Sequence, residues 1–132
     1  MLLHALPWIA LGVALHLALA ANAIRQRRRG QVSIGMGDDP ALARAVRAHG
    51  NCSEYLPLGL IVLCAMELAG LAPWFLHLWG AAFVGARVVH AAGFVRDDRD
   101  LRPRIAGMIG TLGALGIGAA ALLGSFLLRL AA

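Results

Sequence analysis

The chain has 132 residues, is 60% hydrophobic and carries a formal net charge of +5. That apolar content excludes an ordinary soluble protein, and the short connections between apolar runs leave a single domain, residues 1-132. All of the basic side chains are arginines, and they flank apolar runs, a pattern that membrane topology explains without a nucleic-acid partner.

A membrane-spanning helix needs about 20 mostly apolar residues. The first such run extends from about Leu2 to Ile24. It ends in Ala20-Ala21-Asn22-Ala23, which resembles a signal-peptidase site, but no basic residue precedes it and it is long enough to span, so an uncleaved helix is expected. Arg25 to Asp39 reads as a basic connection, with Gly35 and Gly37 in a turn and Asp38-Asp39-Pro40 as a helix start with an Asp N-cap and Pro40 at the first helical position. The second helix, about Ala41 to Leu71, starts amphipathic and becomes fully apolar from Leu56. Pro57 within it predicts a kink of the kind membrane helices tolerate. Gly70 to Pro73 forms a tight turn. Trp8, Trp74 and Trp79 suit interfacial anchors. The third span runs from about Trp74 to Val95, and Asp97, Asp98 and Asp100 then alternate with arginines in a solvated loop. The fourth span, about Ile105 to Leu130, carries Gly107, Gly110, Gly113 and Gly116, small residues that permit close helix approach.

The expected fold is therefore all-α, an antiparallel four-helix bundle integral to the membrane. Arg25, Arg27, Arg28, Arg29, Arg44 and Arg47 lie in or just after the first connection, and Arg96, Arg99, Arg102 and Arg104 lie in or near the third. The second connection has none, so the first and third face the cytoplasm; Arg129 is the one dissenting charge.

The stretch Arg47-Ala48-His49-Gly50-Asn51-Cys52-Ser53-Glu54-Tyr55 carries the chemistry. Arg47, Asn51, Glu54 and Tyr55 fall at helical spacing on one face, and Arg87, His90 and Phe94 do the same on the third span. Both faces approach the cytoplasmic side, where Arg102 and Arg104 open the fourth helix. Such a cluster suits a small ligand with carboxylates for the arginines, an ammonium for Glu54, amide groups for Asn51, and a developing anion for a further arginine. The competing reading is structural: Glu54 and Arg87 pair across helices, Arg47 snorkels to the interface, and Glu67 is merely interfacial. His4, His16 and His77 are scattered and, with His49 and His90, make no metal-ligand set, so no metal is expected. Cys52 and Cys64 would lie roughly 18 Å apart on one helix, beyond disulfide reach.

These residues resemble a known family. Arg47-Ala48-His49-x-Asn51-Cys52-Ser53-Glu54-Tyr55-x-Pro57 is similar to the signature of the MAPEG family (membrane-associated proteins in eicosanoid and glutathione metabolism), and Ala86-Arg87-Val88-Val89-His90 looks like a third-helix segment of its prostaglandin synthase branch. The resemblance implies a homotrimer of four-helix subunits that binds glutathione between neighbours near the cytoplasmic side. It maps ligand contacts onto Arg47, His49, Asn51, Glu54, Tyr55, Arg87 and His90, with Arg27 or Arg28 from the first connection. The arginine that activates the thiol maps onto Arg102 or Arg104. Where the family's transferases carry tyrosines on the third helix, this chain has His90 and Phe94; Phe94 cannot donate a hydrogen bond.

The resulting expectation is a bacterial inner-membrane protein that uses glutathione as a cosubstrate against hydrophobic electrophiles or lipid hydroperoxides, with membrane lipid around it. Two alternatives belong to other classes: a non-enzymatic lipid-binding or adaptor protein of the same fold, and a small multidrug transporter with Glu54 as its membrane-embedded acid.

Overall fold

The computed structural model describes residues 2–95 and 100–131. Four helices account for nearly all of them: α1 (Leu6–Gly30), α2 (Pro40–Leu68), α3 (Pro73–Val95) and α4 (Arg102–Leu130). Each is long and apolar enough to cross a membrane. Gly12 meets Leu56, Gly59 meets Phe83, and Gly107 meets His90. Further along, His16 meets His49, Asn51 meets Arg87 and Gly118 meets Trp79, so within each pair one number falls as the other rises and sequence neighbours are antiparallel. α3 packs most extensively against α4, and α2 touches all three other helices, whereas α1 and α4 do not pack on each other. The bundle is thus centred on α2 and α3, with α1 and α4 as flanks.

Helix ends explain where the elements begin and stop. α1 does not end at Ile24. It continues through the arginines to Gly30, with Arg27, Arg28 and Arg29 in its last turn. Arginine is a good helix former, and positive charge suits the negative end of the helix dipole, so the basic run prolongs the helix rather than forming the connection. The true connection is residues 31–39, held by an Arg27 Nη1 bond to the Gly35 carbonyl at 2.8 Å. Gly35 and Gly37 take positive φ values of 79° and 53°. Asp39 caps α2, accepting from Ala41 N at 2.8 Å, and Pro40 opens the helix. α2 stops at Gly70 (φ 76°), where Leu71 N bonds to the Met66 carbonyl and Gly70 N to the Glu67 carbonyl. α4 starts at Arg102, before the expected Ile105, with Pro103 in its first turn and Asp100 accepting from Arg102 N at 3.0 Å. The expected charged loop at Asp97 and Asp98, with Arg96 and Arg99, lies outside the described residues.

At the end opposite the arginine-rich connections, polar groups tie the helices together. The first turn of α1 has no side-chain cap of its own. Glu67 of α2 serves instead, accepting from His4 N at 2.8 Å and Ala5 N at 2.7 Å. Glu67 is therefore an interhelical cap and not merely interfacial. Trp8 Nε1 donates to His77 Nδ1 at 3.2 Å, and His77 Nε2 lies 3.3 Å from His4 Nδ1. Because Trp is only a donor, His77 Nδ1 is the bare nitrogen, and Nε2–H donates to His4. The histidines expected to be scattered thus pair, His4 with His77 and His16 with His49, the latter rings 4.7 Å apart. Arg129 Nη2 donates to the Ala69 carbonyl at 2.5 Å, which gives the dissenting arginine a place at the C-terminal end of α2.

Two expectations about packing change. Trp79 is not an interfacial anchor: it is 3% exposed, stacks on Phe83, and donates Nε1 to the Ala114 carbonyl at 2.7 Å. Trp74, 69% exposed, does lie on the surface. The glycines of α4 divide. Gly107, Gly110 and Gly118 face neighbouring helices, while Gly113 and Gly116 meet nothing within 4 Å. The buried line of α4 is Gly107, Thr111, Ala114 and Gly118, a spacing of four, three and four residues, because a helix repeats every 3.6 residues and not every three.

A Cβ on Gly107 would lie 2.5 Å from the His90 backbone nitrogen, an atom that cannot swing aside. Gly107→Ala is expected to cost about 1–3 kcal/mol. Gly113→Ala, in open space on the same helix, should be neutral or gain up to about 1 kcal/mol of helix propensity. Thermal unfolding in detergent micelles checks this; equal midpoints for the two variants would contradict the close α3–α4 approach.

Candidate functional site

The polar residues of α2 begin the site. Advancing about 100° per residue, Glu54, Arg47, Asn51 and Tyr55 spread in that order across an arc of about 100°. The arc straddles the edge of the packed surface. Arg47 and Glu54 are exposed, Tyr55 is half-buried, and Asn51 is 7% exposed and turned towards α3. His49 points elsewhere, to α1, where it meets His16. One sequence motif therefore serves three surroundings.

Arg87 of α3 sits behind this stripe. It is 1% exposed, the largest fully buried side chain among the described residues. Its Nη2 donates to Asn51 Oδ1 at 2.5 Å, its Nη1 to Thr111 Oγ1 at 3.3 Å, and its guanidinium carbon lies 5.4 Å from the centre of the Tyr55 ring. Thr111 in turn donates to the Gly107 carbonyl at 2.7 Å, a bond within α4 that aims its lone pairs at Arg87. The interhelical Glu54–Arg87 ion pair weighed from the sequence is not what holds Arg87. Neutral oxygens hold it, and Glu54 faces outward. Thr111 was missed in the sequence, although it is the chain's one threonine, set among glycines and alanines on a spanning helix.

A second cluster lies where α3 meets the start of α4. His90 Nδ1 lies 2.7 Å from the Arg104 carbonyl; a carbonyl only accepts, so Nδ1 carries the proton and donates. Arg104 Nε donates to the Gly93 carbonyl at 2.8 Å, and its guanidinium lies over the Phe94 ring, 4.3 Å from its centre. Gly93 is required there, since a Cβ would stand 2.8 Å from Arg104 Cγ and 2.9 Å from its backbone nitrogen. Phe94, the departure noted in the sequence, thus has a cation to hold. Arg87 Nε, His90 Nε2 and Arg104 Nη2 are all sealed from the surface and lack a hydrogen-bond partner. Arg102 is exposed, two residues before Arg104 and so roughly on the opposite side of α4.

Arg28 is exposed in the last turn of α1, beside Arg25 and Arg29 on a shallow groove of about 430 Å³ that α1 alone lines. Arg27 and His49 line a different recess of about 230 Å³ between α1 and α2. So the subunit brings together Asn51, Tyr55, Arg87 and Thr111, and separately His90, Phe94 and Arg104. It does not bring Arg28, His49 or Arg102 to either group. Cys52 and Cys64 are both free. Among the described residues no three His, Cys, Asp or Glu side chains converge as a metal site.

Four spanning helices with this stripe on the second invite comparison with known proteins. Residues 5–124 match the sequence profile of the MAPEG family. The chain belongs to the MAPEG family. Similar curated proteins include inner membrane protein YecN of Escherichia coli K12 and its counterpart in Escherichia coli O6:H1, each 32% identical over 108 residues, covering 82% of this chain and 81% of the relative. The matched segment contains every helix-borne residue of both clusters, so the buried arginine and its partners lie within the MAPEG portion of the chain.

Thr111→Val removes an acceptor from a buried guanidinium at nearly constant side-chain volume. An unmet buried polar group costs about 1–3 kcal/mol. The thermal midpoint in detergent is expected to fall accordingly, while Thr111→Ser, which keeps the hydroxyl, should stay near wild type. Equal losses in both would mean that packing, not the hydrogen bond, matters at this position.

Proposed function

We propose that this MAPEG protein binds glutathione at the inner membrane, the location its Escherichia coli relatives are named for, and transfers the thiol to hydrophobic electrophiles or uses it to reduce lipid hydroperoxides. The observation that carries the reading is the outward pair Arg47 and Glu54. Both are exposed on a spanning helix, seven residues apart and so within about 20° of each other around it. Neither makes a hydrogen bond or ion pair among the described residues. Charges kept at a membrane helix surface mark a binding function or a partner. A zwitterionic peptide with extra carboxylates suits them, carboxylate to Arg47 and ammonium to Glu54.

A neighbouring copy accounts for the remaining features. The groove beside Arg28 has only one wall, and the Arg47–Glu54 face has no cover within the subunit. A trimer, which the family resemblance implies, closes the site with Arg28 from an adjacent α1. Arg104 is the favoured thiol-activating residue over Arg102, because its guanidinium is held in place at Gly93 and Phe94 while the Arg102 side chain is exposed and, among the described residues, unanchored. A guanidinium beside the thiol favours its thiolate. That thiolate attacks an electrophilic carbon, forming the carbon–sulfur bond as the leaving group departs with the bonding pair. With a hydroperoxide it attacks the terminal oxygen, the O–O bond breaks, the alcohol leaves after protonation, and a second glutathione converts the sulfenic acid to disulfide and water. An apolar groove of about 330 Å³ between α3 and α4, lined by Phe75, Leu78, Trp79 and Ala82 among others, suits a hydrophobic chain.

The transporter reading loses ground because Glu54 faces outward instead of into the bundle centre. The adaptor reading keeps the same fold and differs only in lacking turnover.

Glutathione binding to the detergent-purified protein, measured by calorimetry, tests the proposal. Arg47→Ala should weaken it by about tenfold or more, the loss of a charge-assisted contact. Arg104→Ala should retain binding but slow conjugation of a chlorinated nitroaromatic by about a hundredfold. A larger loss in Arg102→Ala would reverse the choice between the two arginines, and binding without turnover in wild type would favour the adaptor. Cross-linking in membranes should yield trimers, and a ladder ending at dimers would count against the shared site.

A further inference from the structure

We infer that Arg87 is a positioning residue, not a ligand contact: it fixes the Asn51 amide so that this position offers the ligand a hydrogen-bond donor and nothing else. The chemistry of the pair forces the orientation. A guanidinium has only donors, so the Asn51 atom 2.5 Å from Arg87 Nη2 is the carbonyl oxygen Oδ1. The amide NH₂ must then point the other way. Thr111 holds the second arm of the guanidinium from α4, and the Tyr55 ring lies over it, so Arg87 has no freedom to release Oδ1. At 1% exposure Arg87 itself has no route to a ligand.

Asn51 Nδ2 is the half of the amide left over. It makes no hydrogen bond among the described residues, yet it is not one of the polar atoms sealed from the surface. Asn51 is 7% exposed in all, and with Oδ1 turned inward against Arg87 the outward atom is Nδ2. Arg47 lies four residues before Asn51 and Glu54 three residues after, the spacings that make helix-surface neighbours. The stripe therefore presents a cation, an N–H donor and an anion, in that order, over about 10 Å of helix.

That order defines a ligand class. A carboxylate meets Arg47, a carbonyl or carboxylate oxygen meets Asn51, and an ammonium meets Glu54. An amide N–H or a hydroxyl acting as donor finds no acceptor at the middle position. The pattern fits a peptide-like molecule that enters with a C=O, not an N–H, against Asn51. The identity of the ligand as glutathione rests on the proposed function; the orientation of the amide does not.

The test uses three variants in detergent, each read by thermal unfolding and by calorimetric titration with glutathione. Asn51→Asp is isosteric and keeps an oxygen for Arg87, now charged, while turning the outward atom from donor to acceptor. Its thermal midpoint should equal or exceed wild type, and its glutathione affinity should fall at least about tenfold. Asn51→Leu removes the acceptor and should unfold at a lower temperature than either. Arg87→Met replaces the buried charge with an apolar chain of similar length, a change proteins often tolerate without loss of stability. It frees the amide to rotate, so affinity should fall several-fold while the fold persists. Asn51→Asp binding glutathione as tightly as wild type would overturn the donor role, and Arg87→Met doing so would overturn the positioning role. Asn51→Asp unfolding as early as Asn51→Leu would overturn the orientation itself. Wild-type protein that ignores millimolar glutathione would overturn the functional reading and the ligand half of this inference, while the order of the midpoints would still decide the orientation.

Discussion

The buried guanidinium of Arg87 is the constraint on which the arginine-rich half of this bundle depends. A cation inside a membrane protein has no water to fall back on, and an unpaired one costs several kcal/mol. Arg87 is held by Asn51 of α2, Thr111 of α4 and the face of Tyr55, so one α3 side chain ties three helices. Each partner is neutral. The groups in contact with it carry no charge, and the carboxylate of Glu54 acts on it only from a distance. The group that ties the packing together therefore lies directly behind the polar stripe of α2.

The same rule, that backbone and side-chain polar groups must be met internally, organises the opposite end of the bundle. There Glu67 closes the open first turn of α1, Arg129 meets the carbonyl that ends α2, and Trp79 fastens α3 to α4 through the Ala114 carbonyl. Glycines permit these contacts. Gly80 accommodates Trp8 and Gly118 accommodates Val62 beside Trp79, with Trp8 and Val62 at distances a Cβ would violate. The two ends differ in what is left over. At the Glu67 end the polar contacts close on one another, whereas at the arginine-rich end Arg47 and Glu54 face out and, among the described residues, four sealed nitrogens, those of His49, Arg87, His90 and Arg104, lack partners. That asymmetry, more than family membership, is why the functional reading centres on the arginine-rich end. MAPEG membership describes the frame and does not by itself fix an activity.

Much of this was legible in the chain of residues. Four apolar runs of spanning length, separated by turns, specify a membrane bundle because lipid admits little else, and arginine placement orients it. Asp39-Pro40 and Gly70 mark helix ends through local chemistry that needs no tertiary context. The stripe Arg47, Asn51, Glu54, Tyr55 follows from helical period alone. The matching family profile agrees with what those residues resemble.

What period and composition leave open is which side of a helix a residue finds itself on. Arg47 and Asn51 are one turn apart, yet one is exposed and the other is locked to Arg87, because the boundary of the α3 contact runs between them. Trp79 has the composition of an interface anchor and lies in the core, and Gly113 has that of a packing glycine and meets nothing. The arginines after Ile24 carry a topology signal but continue a helix, since a side chain's charge does not by itself end backbone hydrogen bonding. The sequence by itself determined the number of spans and the family. Only the tertiary structure decided that Arg87 is sealed in by neutral partners while Glu54 is not its counter-ion, because burial and pairing belong to the meeting of three helices and to no one of them.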